Sequence, residues 1–463
     1  MLALLTFTLI TRIFTGINYI EDIDSLRFAL SLIKFDVLNL QPHFPVYPIF
    51  TWSAISFHSI FKSNLLTFSI IGGFSSFIII CYTIKQFDVK IRSTEGFVIA
   101  FTLCFNPLLW IMSVRYMPDL MGISFITIII YTLTYSRGHS HIGFFFSGLL
   151  LGVRLSYLPL IIPLFISKFF YSNNKTRVTL FFVLGVFVWL IPLIMLTGFE
   201  DLLEAARRQT DGHFNEFGGT LSTEPNLFER AMKLFRSIWA DGMGLYWPGR
   251  HWLTLLTTIF LLSASLIPIG LPVNKTKLLP KVNLSVLTGV IIYLIWIFLF
   301  QNIIHKSRHI LPLLPFICII IGTVMTKQWR TGQVLNRVLV CGFMFCYSAV
   351  TLHLVFQHQS PTAISQIKDH LTSSKGSNVE IATTPLIKFY LQNHDVKAKF
   401  IVTQNQNDLD SLYSDYRNRE IKTNTAFISI GSQVNFVVPK SNITFYHNPY
   451  VNRLWPVLSL YEY

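Results

Sequence analysis

The sequence predicts an α-helical protein that spans a membrane many times and ends in a small α/β domain. Of the 463 residues, 52% are apolar and only 13% are charged, whereas an average soluble domain has roughly 25% charged residues. The apolar residues also cluster in runs close to the ~20 residues that a helix needs to cross a bilayer. After Phe356 polar residues become frequent, and short β-branched runs alternate with helical patterns.

The apolar runs predict about eleven membrane crossings. The stretch 142–170 is predicted to hold two short helices that meet near Arg154 to Tyr157. Segment 43–61 is apolar as well, but prolines and histidines interrupt it, so we expect it to lie at the interface or to insert only partly. The nine single runs are 2–19, 65–84, 96–113, 118–136, 178–197, 251–271, 282–304, 309–326 and 334–356.

The loops between these runs differ in charge, which predicts the orientation of the chain. With the N-terminus in the cytoplasm, the inner loops hold thirteen cations against two acids, Asp88 and Glu95, while the outer loops collect carboxylates. The net charge of +14 therefore reflects topology and not nucleic-acid binding. The thirteen cations are Lys85, Lys90, Arg92, Arg137, Lys168, Lys175, Arg177, Lys275, Lys277, Lys281, Lys327, Arg330 and Arg337.

This topology divides the chain into a transmembrane domain, 1–356, with outer loops 20–62 and 198–250, and a non-cytoplasmic soluble domain, 357–463. Strands are predicted at 379–384, 397–403 and 425–431, with helices at 385–394 and 407–419 between them. Such alternation favours a mostly parallel sheet. The soluble domain has no nucleophile elbow, P-loop or metal motif, so we expect it to cover an outer cavity or to recruit an acceptor.

Three outer segments carry polar residues that solubility does not require. The first follows the first helix, where Glu21, Asp22 and Asp24 cluster at the membrane surface. A carboxylate there could take a proton from an acceptor hydroxyl, as general-base catalysis requires. The alternative is that these acids merely mark the outside.

The second segment contains Arg115 and Asp119, and Pro118 places Asp119 at the start of a helix, where the helix dipole alone would explain an acid. The third segment, from Gln301 to Pro315, places cations at an outer junction, against the general trend. A bound phosphate explains this, and contact with lipid headgroups is the alternative. The basic residues of the third segment are His305, Lys306, Arg308 and His309.

Other cations are candidates because ionisable groups within a membrane are costly. Arg154 falls between two short apolar runs, and Arg12 lies in the first helix, where a neighbouring acid could solvate it. Arg250 lies among tryptophans at a membrane boundary, where aromatic belts occur regardless of function. The five cysteines all fall in apolar runs without a C-x-x-C pair, so no metal site is predicted and no cofactor is implied, although a divalent cation is left open.

Together these features resemble the GT-C superfamily of membrane glycosyltransferases. The similarity is greatest to bacterial family-39-like proteins, through DSLRFAL (24–30), QPHFPVYP (41–48), VRYMPD (114–119) and SRHILPLLPF (307–316). The resemblance implies a GT-C-like fold in a bacterial plasma (inner) membrane. It also implies transfer of a sugar from a polyprenyl-phosphate donor to a glycan, lipid or protein acceptor at the non-cytoplasmic face.

The resemblance also assigns roles to residues. Asp24 is the expected general base, with Asp22 and Glu21 as substitutes, and Asp119 is the second carboxylate. Charge from the third segment would stabilise the leaving phosphate. The residues expected to bind substrate are Glu21, His43, Tyr47, Arg115, Arg154, Arg250, His305, Lys306, Arg308 and His309, and membrane lipids are expected partners of the protein as a whole.

Two other functions stay open at this point. A transporter or flippase of lipid-linked glycans would use Arg12 and Arg154 to line a path, but the sequence lacks the internal symmetry typical of such proteins. A glycan polymerase or ligase would rely on large outer loops rich in Arg and His, whereas segment 198–250 has more acids than bases.

Overall fold

The structure is a computed structural model that describes residues 1–135, 140–216, 218–266, 283–373, 379–423, 426–450 and 453–463. Four of the predicted inner cations, and the ends of the predicted runs at 136, 267–271 and 282, lie outside these residues. The chain divides into two compact units, one made of 1–18 and 27–359 and the other of 19–26 and 360–463. The four cations are Arg137, Lys275, Lys277 and Lys281.

The first unit is helical, and every predicted apolar run contains helix. The α-helices are interrupted by short 3₁₀ turns at Leu155–Tyr157 and Ser307–Leu313. Short π-helices lie at Gly212–Glu216 and Ser237–Gly242. The helices are α1 (Leu2–Phe14), α2 (Ile23–Ser31, shared with the second unit), α3 (Pro48–Phe61), α4 (Asn64–Lys85), α5 (Thr94–Cys104), α6 (Pro107–Val114), α7 (Asp119–Thr134), α8 (Ser140–Leu151), α9 (Leu158–Phe170), α10 (Lys175–Thr197), α11 (Phe199–Asp211), α12 (Leu227–Arg236), α13 (Trp252–Leu266), α14 (Leu284–Phe300), α15 (Leu314–Arg330) and α16 (Val334–His358).

Within the described residues, four helices are long and apolar enough to cross a bilayer: α4, α10, the helix Ser307–Arg330 and the helix that begins at Val334. Helices α5 and α6 are bent by 56° at a short break and would make a fifth span together. Six further apolar helices are shorter. The predicted integral membrane protein is confirmed, whereas the number of crossings, their orientation and the depth of segment 43–61 stay predictions.

Local sequence explains where several helices begin. Ser63, Ser93 and Asn106 precede α4, α5 and α6, and each side-chain oxygen accepts a backbone N–H from the first turn of its helix. Asn174 does the same for α10. These caps satisfy N–H groups that a helix start leaves without partners.

Glycines let the helices of the first unit approach closely. A Cβ built on Gly185 of α10 would lie 2.2 Å from the Phe145 carbonyl oxygen of α8, and one on Gly148 would lie 2.4 Å from the Phe182 oxygen. On α14, a Cβ on Gly289 would lie 2.0 Å from the Leu160 oxygen of α9. Small residues allow such backbone approach, on which helix association in lipid depends.

The second unit contains a five-stranded sheet with the order β2-β1-β3-β5-β4. β1 pairs in parallel with β2 and β3, whereas β5 pairs antiparallel with β3 and β4. The elements are α17 (Ala363–Ser373), β1 (Val379–Thr383), α18 (Pro385–Gln392), β2 (Lys399–Val402), α19 (Gln406–Thr423), β3 (Ala426–Ile430), β4 (Ser441–Tyr446) and β5 (Val457–Glu462).

The predicted small C-terminal α/β domain is confirmed, with three strands and two helices at the expected places. The expectation of a mostly parallel sheet is wrong for the last two strands. β4 ends at Tyr446 and β5 begins at Val457. The ten residues between them favour an antiparallel pair, because a parallel crossover needs a dozen or more residues.

We expect the substitution Gly185→Leu to lower the melting temperature of the detergent-solubilised protein. A leucine side chain cannot fit against the Phe145 carbonyl, and overpacking of this kind costs about 1–3 kcal/mol. Val188→Leu on the same helix is the matched control, since Val188 is 45% exposed. Equal melting temperatures for the two variants would show that this close contact does not hold α8 and α10 together.

Candidate active site

A buried ion pair joins the start of α7 to the turn between α8 and α9. Arg154 Nη2 lies 3.1 Å from Asp119 Oδ1, and the Tyr157 hydroxyl donates to the same oxygen at 3.1 Å. Asp119 is 0% exposed and Arg154 is 5% exposed. A Cβ on Gly122, one turn along α7, would lie 2.8 Å from the Tyr157 ring, so this glycine admits the turn that carries Arg154.

The pair does not satisfy all of its own polar atoms. Asp119 Oδ2 and Arg154 Nε are buried without a hydrogen-bond partner among the residues that the structure describes. Buried polar atoms are normally bonded, and exceptions are frequent at functional sites. Asp119 therefore keeps one carboxylate oxygen able to accept a hydrogen bond from a substrate hydroxyl or a water.

The proline-rich segment 41–48 contributes aromatic rings to this pair. The Arg154 guanidinium lies 5.5 Å from the centroid of the Tyr47 ring, within cation–π range. Tyr47 also contacts His43 edge to face at 5.4 Å. Its backbone has a φ of +50°, a strained conformation for a tyrosine of the kind that clusters at functional sites. The structure thus brings Tyr47, Arg154 and Asp119 together, three residues that are far apart in sequence.

The 3₁₀ turn Ser307–Leu313 lies against the same site. Arg308 Nη1 is 3.6 Å from the sulfur of Met117, two residues before Asp119. The Tyr293 hydroxyl donates to the His309 carbonyl at 2.8 Å, and its ring meets Tyr157 edge to face at 6.1 Å. Arg308 and His309 are each 7% exposed. A second cation therefore lies close to the chain segment that carries Asp119.

The four basic residues of the third segment differ in burial. Arg308 and His309 are buried, whereas His305 is exposed and lies 3.6 Å from Glu224 of segment 198–250. The backbone N–H of His305 donates to the side-chain oxygen of Asn302, which lies just after α14. Lys306 is partly exposed. The 3₁₀ turn begins at Ser307, so Arg308 and His309 lie within it, whereas His305 and Lys306 precede it.

Arg230, which the sequence analysis did not single out, supports this segment. It is fully buried, and its guanidinium donates to the carbonyls of Gly219 at 2.7 Å and Gln301 at 3.1 Å. It also donates to the carbonyl of Phe298 at the end of α14. The last carbonyls of a helix lack partners within the helix. Arg230 donates hydrogen bonds to such carbonyls at the end of α14, where the third segment begins. No local pattern indicates this role, because two of its three acceptors, Phe298 and Gln301, are about seventy residues away.

The remaining predicted cations have structural partners. Arg250 Nη2 lies 2.5 Å from Asp241 Oδ1, and Asp241 is fully buried. Arg115 is buried with Nη1 3.5 Å from the sulfur of Met112. Both arrangements are compatible with substrate contact, which stays a prediction for these two residues.

Arg12 is held by neutral groups and not by the neighbouring acid that the sequence analysis allowed for. It donates to the Cys104 carbonyl at 3.0 Å and to Ser113 Oγ at 3.3 Å, and it lies 3.9 Å from the Trp110 ring centroid. Cys104 ends α5, so Arg12 caps the break between α5 and α6. This contact gives Arg12 a structural task that does not require a translocation path.

The acids Glu21, Asp22 and Asp24 belong to the second unit. Asp22 is the N-cap of α2, where its Oδ1 accepts the Ser25 N–H at 2.8 Å, and Asp24 follows in the first turn. Glu21 and Asp22 are buried, and Asp24 is partly exposed. Because these acids and Asp119 lie in different units, their meeting stays a prediction.

Among the described residues, no three His, Cys, Asp or Glu side chains are arranged to hold a metal ion. The expectation that left a divalent cation open is untested.

Comparison with known proteins adds a fold and a family resemblance. A family model described as the Alg9-like mannosyltransferase family matches residues 246–385. A search by sequence of curated proteins finds no match. The structure is similar to ArnT from Cupriavidus metallidurans bound to undecaprenyl phosphate, with a TM-score of 0.53, 10% identity, and coverage of 99% of this chain and 97% of that one. For ArnT in the apo state the TM-score is 0.51 at the same identity and coverage.

The chain has the GT-C fold. The resemblance to the GT-C superfamily predicted from the sequence is thereby confirmed. The structural match covers 99% of the chain and therefore includes the C-terminal unit. The segment matched by the family model contains Arg250 and the Ser307–Leu313 turn, but neither Asp24 nor Asp119.

We expect Arg154→Met to destabilise the protein by about 3–5 kcal/mol, because it leaves the Asp119 carboxylate buried without its cation. Arg208→Met is the matched control, since Arg208 pairs with Glu204 on an exposed helix face and such pairs contribute about 0–1 kcal/mol. Denaturation of both variants in the same detergent measures the difference.

The double variant Asp119→Leu/Arg154→Met should recover much of this loss, because a buried pair replaced by apolar residues leaves no unpaired charge. A single variant Arg154→Met as stable as Arg208→Met would contradict the ion pair as the organising contact of this site.

Proposed function

We propose that this protein is a membrane glycosyltransferase that moves a sugar from a polyprenyl-phosphate donor to an acceptor hydroxyl. The observation that supports it most directly is the buried Asp119–Arg154 pair with Arg308 beside it, inside a GT-C fold. A donor of this type keeps its lipid chain in the bilayer, so its phosphate and sugar must be bound at the membrane boundary. Undecaprenyl phosphate in the ArnT structure is a lipid of this class.

Arg308 is the proposed phosphate ligand. Its guanidinium offers planar, paired donors that suit phosphate oxygens. The 3₁₀ turn that carries it is fixed by the Tyr293–His309 hydrogen bond and, one step earlier, by Arg230 on the end of α14. A preorganised cation stabilises the negative charge that develops on the leaving phosphate. Lys306 would add positive charge around the same group, and a ring N–H of His309 could donate a hydrogen bond to it.

Asp119 is proposed to orient the sugar or the acceptor. Its Oδ1 is occupied by Arg154 and Tyr157, while Oδ2 can accept a hydroxyl. Asp24 is the proposed general base. It lies in the first turn of α2 and is partly exposed, whereas its neighbour Asp22 is buried and accepts the Ser25 N–H as a helix cap.

The proposed step balances as follows. The acceptor hydroxyl gives its proton to the Asp24 carboxylate, and its oxygen forms a bond to the anomeric carbon. The bond between that carbon and the phosphate oxygen breaks, and polyprenyl phosphate leaves as an anion held by Arg308. We further propose that transfer occurs at the non-cytoplasmic face of a bacterial plasma membrane. The acceptor is a glycan, lipid or protein, and the sugar is a hexose or a pentose.

Asp24→Asn and Asp119→Asn should each lower transfer from a pool of polyprenyl-phosphate sugars by at least about 100-fold, as expected for loss of a general base or a positioning carboxylate. Asp36→Asn is the control within the same outer loop. Asp36 is bonded to Lys34 at 2.8 Å, and this hydrogen bond lowers the pKa of the Asp36 carboxyl. The Asp36→Asn variant should therefore keep full activity. Full transfer by both Asp24→Asn and Asp119→Asn, with normal membrane insertion, would reject the proposed mechanism.

Arg308→Gln should raise the KM for the lipid donor by about 10- to 100-fold, because a hydrogen bond to a charged group contributes about 1.5–3 kcal/mol. Arg208→Gln, on the exposed face of α11, serves as the matched control. Steady-state kinetics with a purified polyprenyl-phosphate sugar measures the effect. An unchanged donor KM in Arg308→Gln would remove Arg308 as the phosphate ligand.

A further inference from the structure

The C-terminal unit includes a short piece of the N-terminal chain, residues 19–26. This piece carries the three acids Glu21, Asp22 and Asp24. It is separated from the rest of its unit by more than three hundred residues of chain. Contacts within this unit therefore decide how the acidic segment is held.

Two consecutive backbone carbonyls of the segment accept hydrogen bonds from side chains of the C-terminal domain. The Tyr390 hydroxyl donates to the Ile20 carbonyl at 2.5 Å. The Thr362 hydroxyl donates to the Glu21 carbonyl at 3.1 Å. Both donors are almost fully buried, Tyr390 at 0% and Thr362 at 3% exposure, so neither bond competes with bulk water.

Both donors are themselves fixed. Tyr390 lies on α18, and its own carbonyl bonds to the His394 ring at 2.7 Å. Thr362 directly precedes α17, and its carbonyl accepts the Gln366 N–H at 2.9 Å. Burial raises the pKa of the Tyr390 hydroxyl, and the nearby Asp22 carboxylate raises it further. The hydroxyl therefore stays protonated, as a hydrogen-bond donor, throughout the neutral range.

The two carbonyls lie immediately before the start of α2. Asp22, the next residue, caps this helix through the Ser25 N–H, and the Leu26 N–H bonds to the Asp22 carbonyl at 2.9 Å. Asp24 is therefore carried on a first turn whose entry is fixed on one side by its cap and on the other by Tyr390 and Thr362. A shift at Ile20 or Glu21 would move the Asp24 carboxylate with it.

We propose that the C-terminal domain is a positioning domain for the acidic segment, with Tyr390 and Thr362 as the residues that fix where Asp24 is held. The catalytic part of this inference rests on the proposed function, in which Asp24 is the base. Neither residue touches substrate in this scheme. Each acts through the backbone of the segment. This positioning role gives a function to a domain in which the sequence shows no catalytic motif.

The test uses the full-length protein in detergent or nanodiscs, with Tyr390→Phe, Thr362→Val and their combination. Each change removes one hydroxyl and little volume. We expect kcat to fall about tenfold in each single variant and further in the double variant, because small displacements of a catalytic group cost this much or more. The KM for the lipid donor should stay unchanged. Amide hydrogen exchange in a peptide covering 19–26 should accelerate about fivefold or more.

Two controls separate positioning from general loss of structure. Thr362→Ser retains the hydroxyl and should restore both kcat and slow exchange. Tyr416→Phe removes a hydroxyl from a buried tyrosine in the core formed with Phe427 and Tyr463 and should leave exchange in 19–26 unchanged.

Unchanged exchange in both Tyr390→Phe and Thr362→Val would overturn the inference whatever the activity. Faster exchange without a fall in kcat would overturn it too, since the segment would then be held for a purpose other than catalysis. Failure of the proposed function gives a different result, namely full transfer by Asp24→Asn, and it leaves the exchange measurement intact.

Discussion

The constraint on which the transmembrane body depends is the cost of a charge away from water. Asp119 is completely buried, and Arg154 at 3.1 Å is the cation that makes its ionised form tolerable there. Neighbouring residues support this ion pair. Gly122 leaves room for the turn, Tyr157 adds a hydrogen bond to the carboxylate, and Tyr47 covers the guanidinium. The pair therefore draws α3, α7 and the α8–α9 turn to one place, next to Arg308.

Arginines in this chain do two physically different things, and only one of them points to chemistry. Arg12 and Arg230 donate to carbonyls at the ends of α5 and α14, where helix geometry leaves oxygens without partners. Arg154 pairs with a carboxylate that retains an oxygen able to bond further. A cation in an apolar run is therefore a weak indicator of function in a fold with broken helices, since each break creates acceptors that a buried arginine can satisfy.

Hydropathy predicted the helices because a bilayer selects for long runs of apolar residues, and β-branched runs predicted β1, β2 and β3. Pairing partners were not predictable in the same way. β5 pairs antiparallel with both β4 and β3, and local sequence does not specify which strands will pair. The meeting of Tyr47, Arg154 and Asp119 depends on contacts across a hundred residues, and adjacency in sequence did not predict that His305 and Arg308 differ in burial. The role of Arg230 was not predictable because its acceptors Phe298 and Gln301 are distant in sequence.

The most direct test of the account is a cryo-electron microscopy structure of the protein in nanodiscs with undecaprenyl phosphate added. The account predicts density for the phosphate within hydrogen-bond distance of Arg308, with the Asp119–Arg154 pair intact beside it. A phosphate bound to another part of the protein, with the Ser307–Leu313 turn free of ligand, would contradict the assignment of this site as the place of sugar transfer.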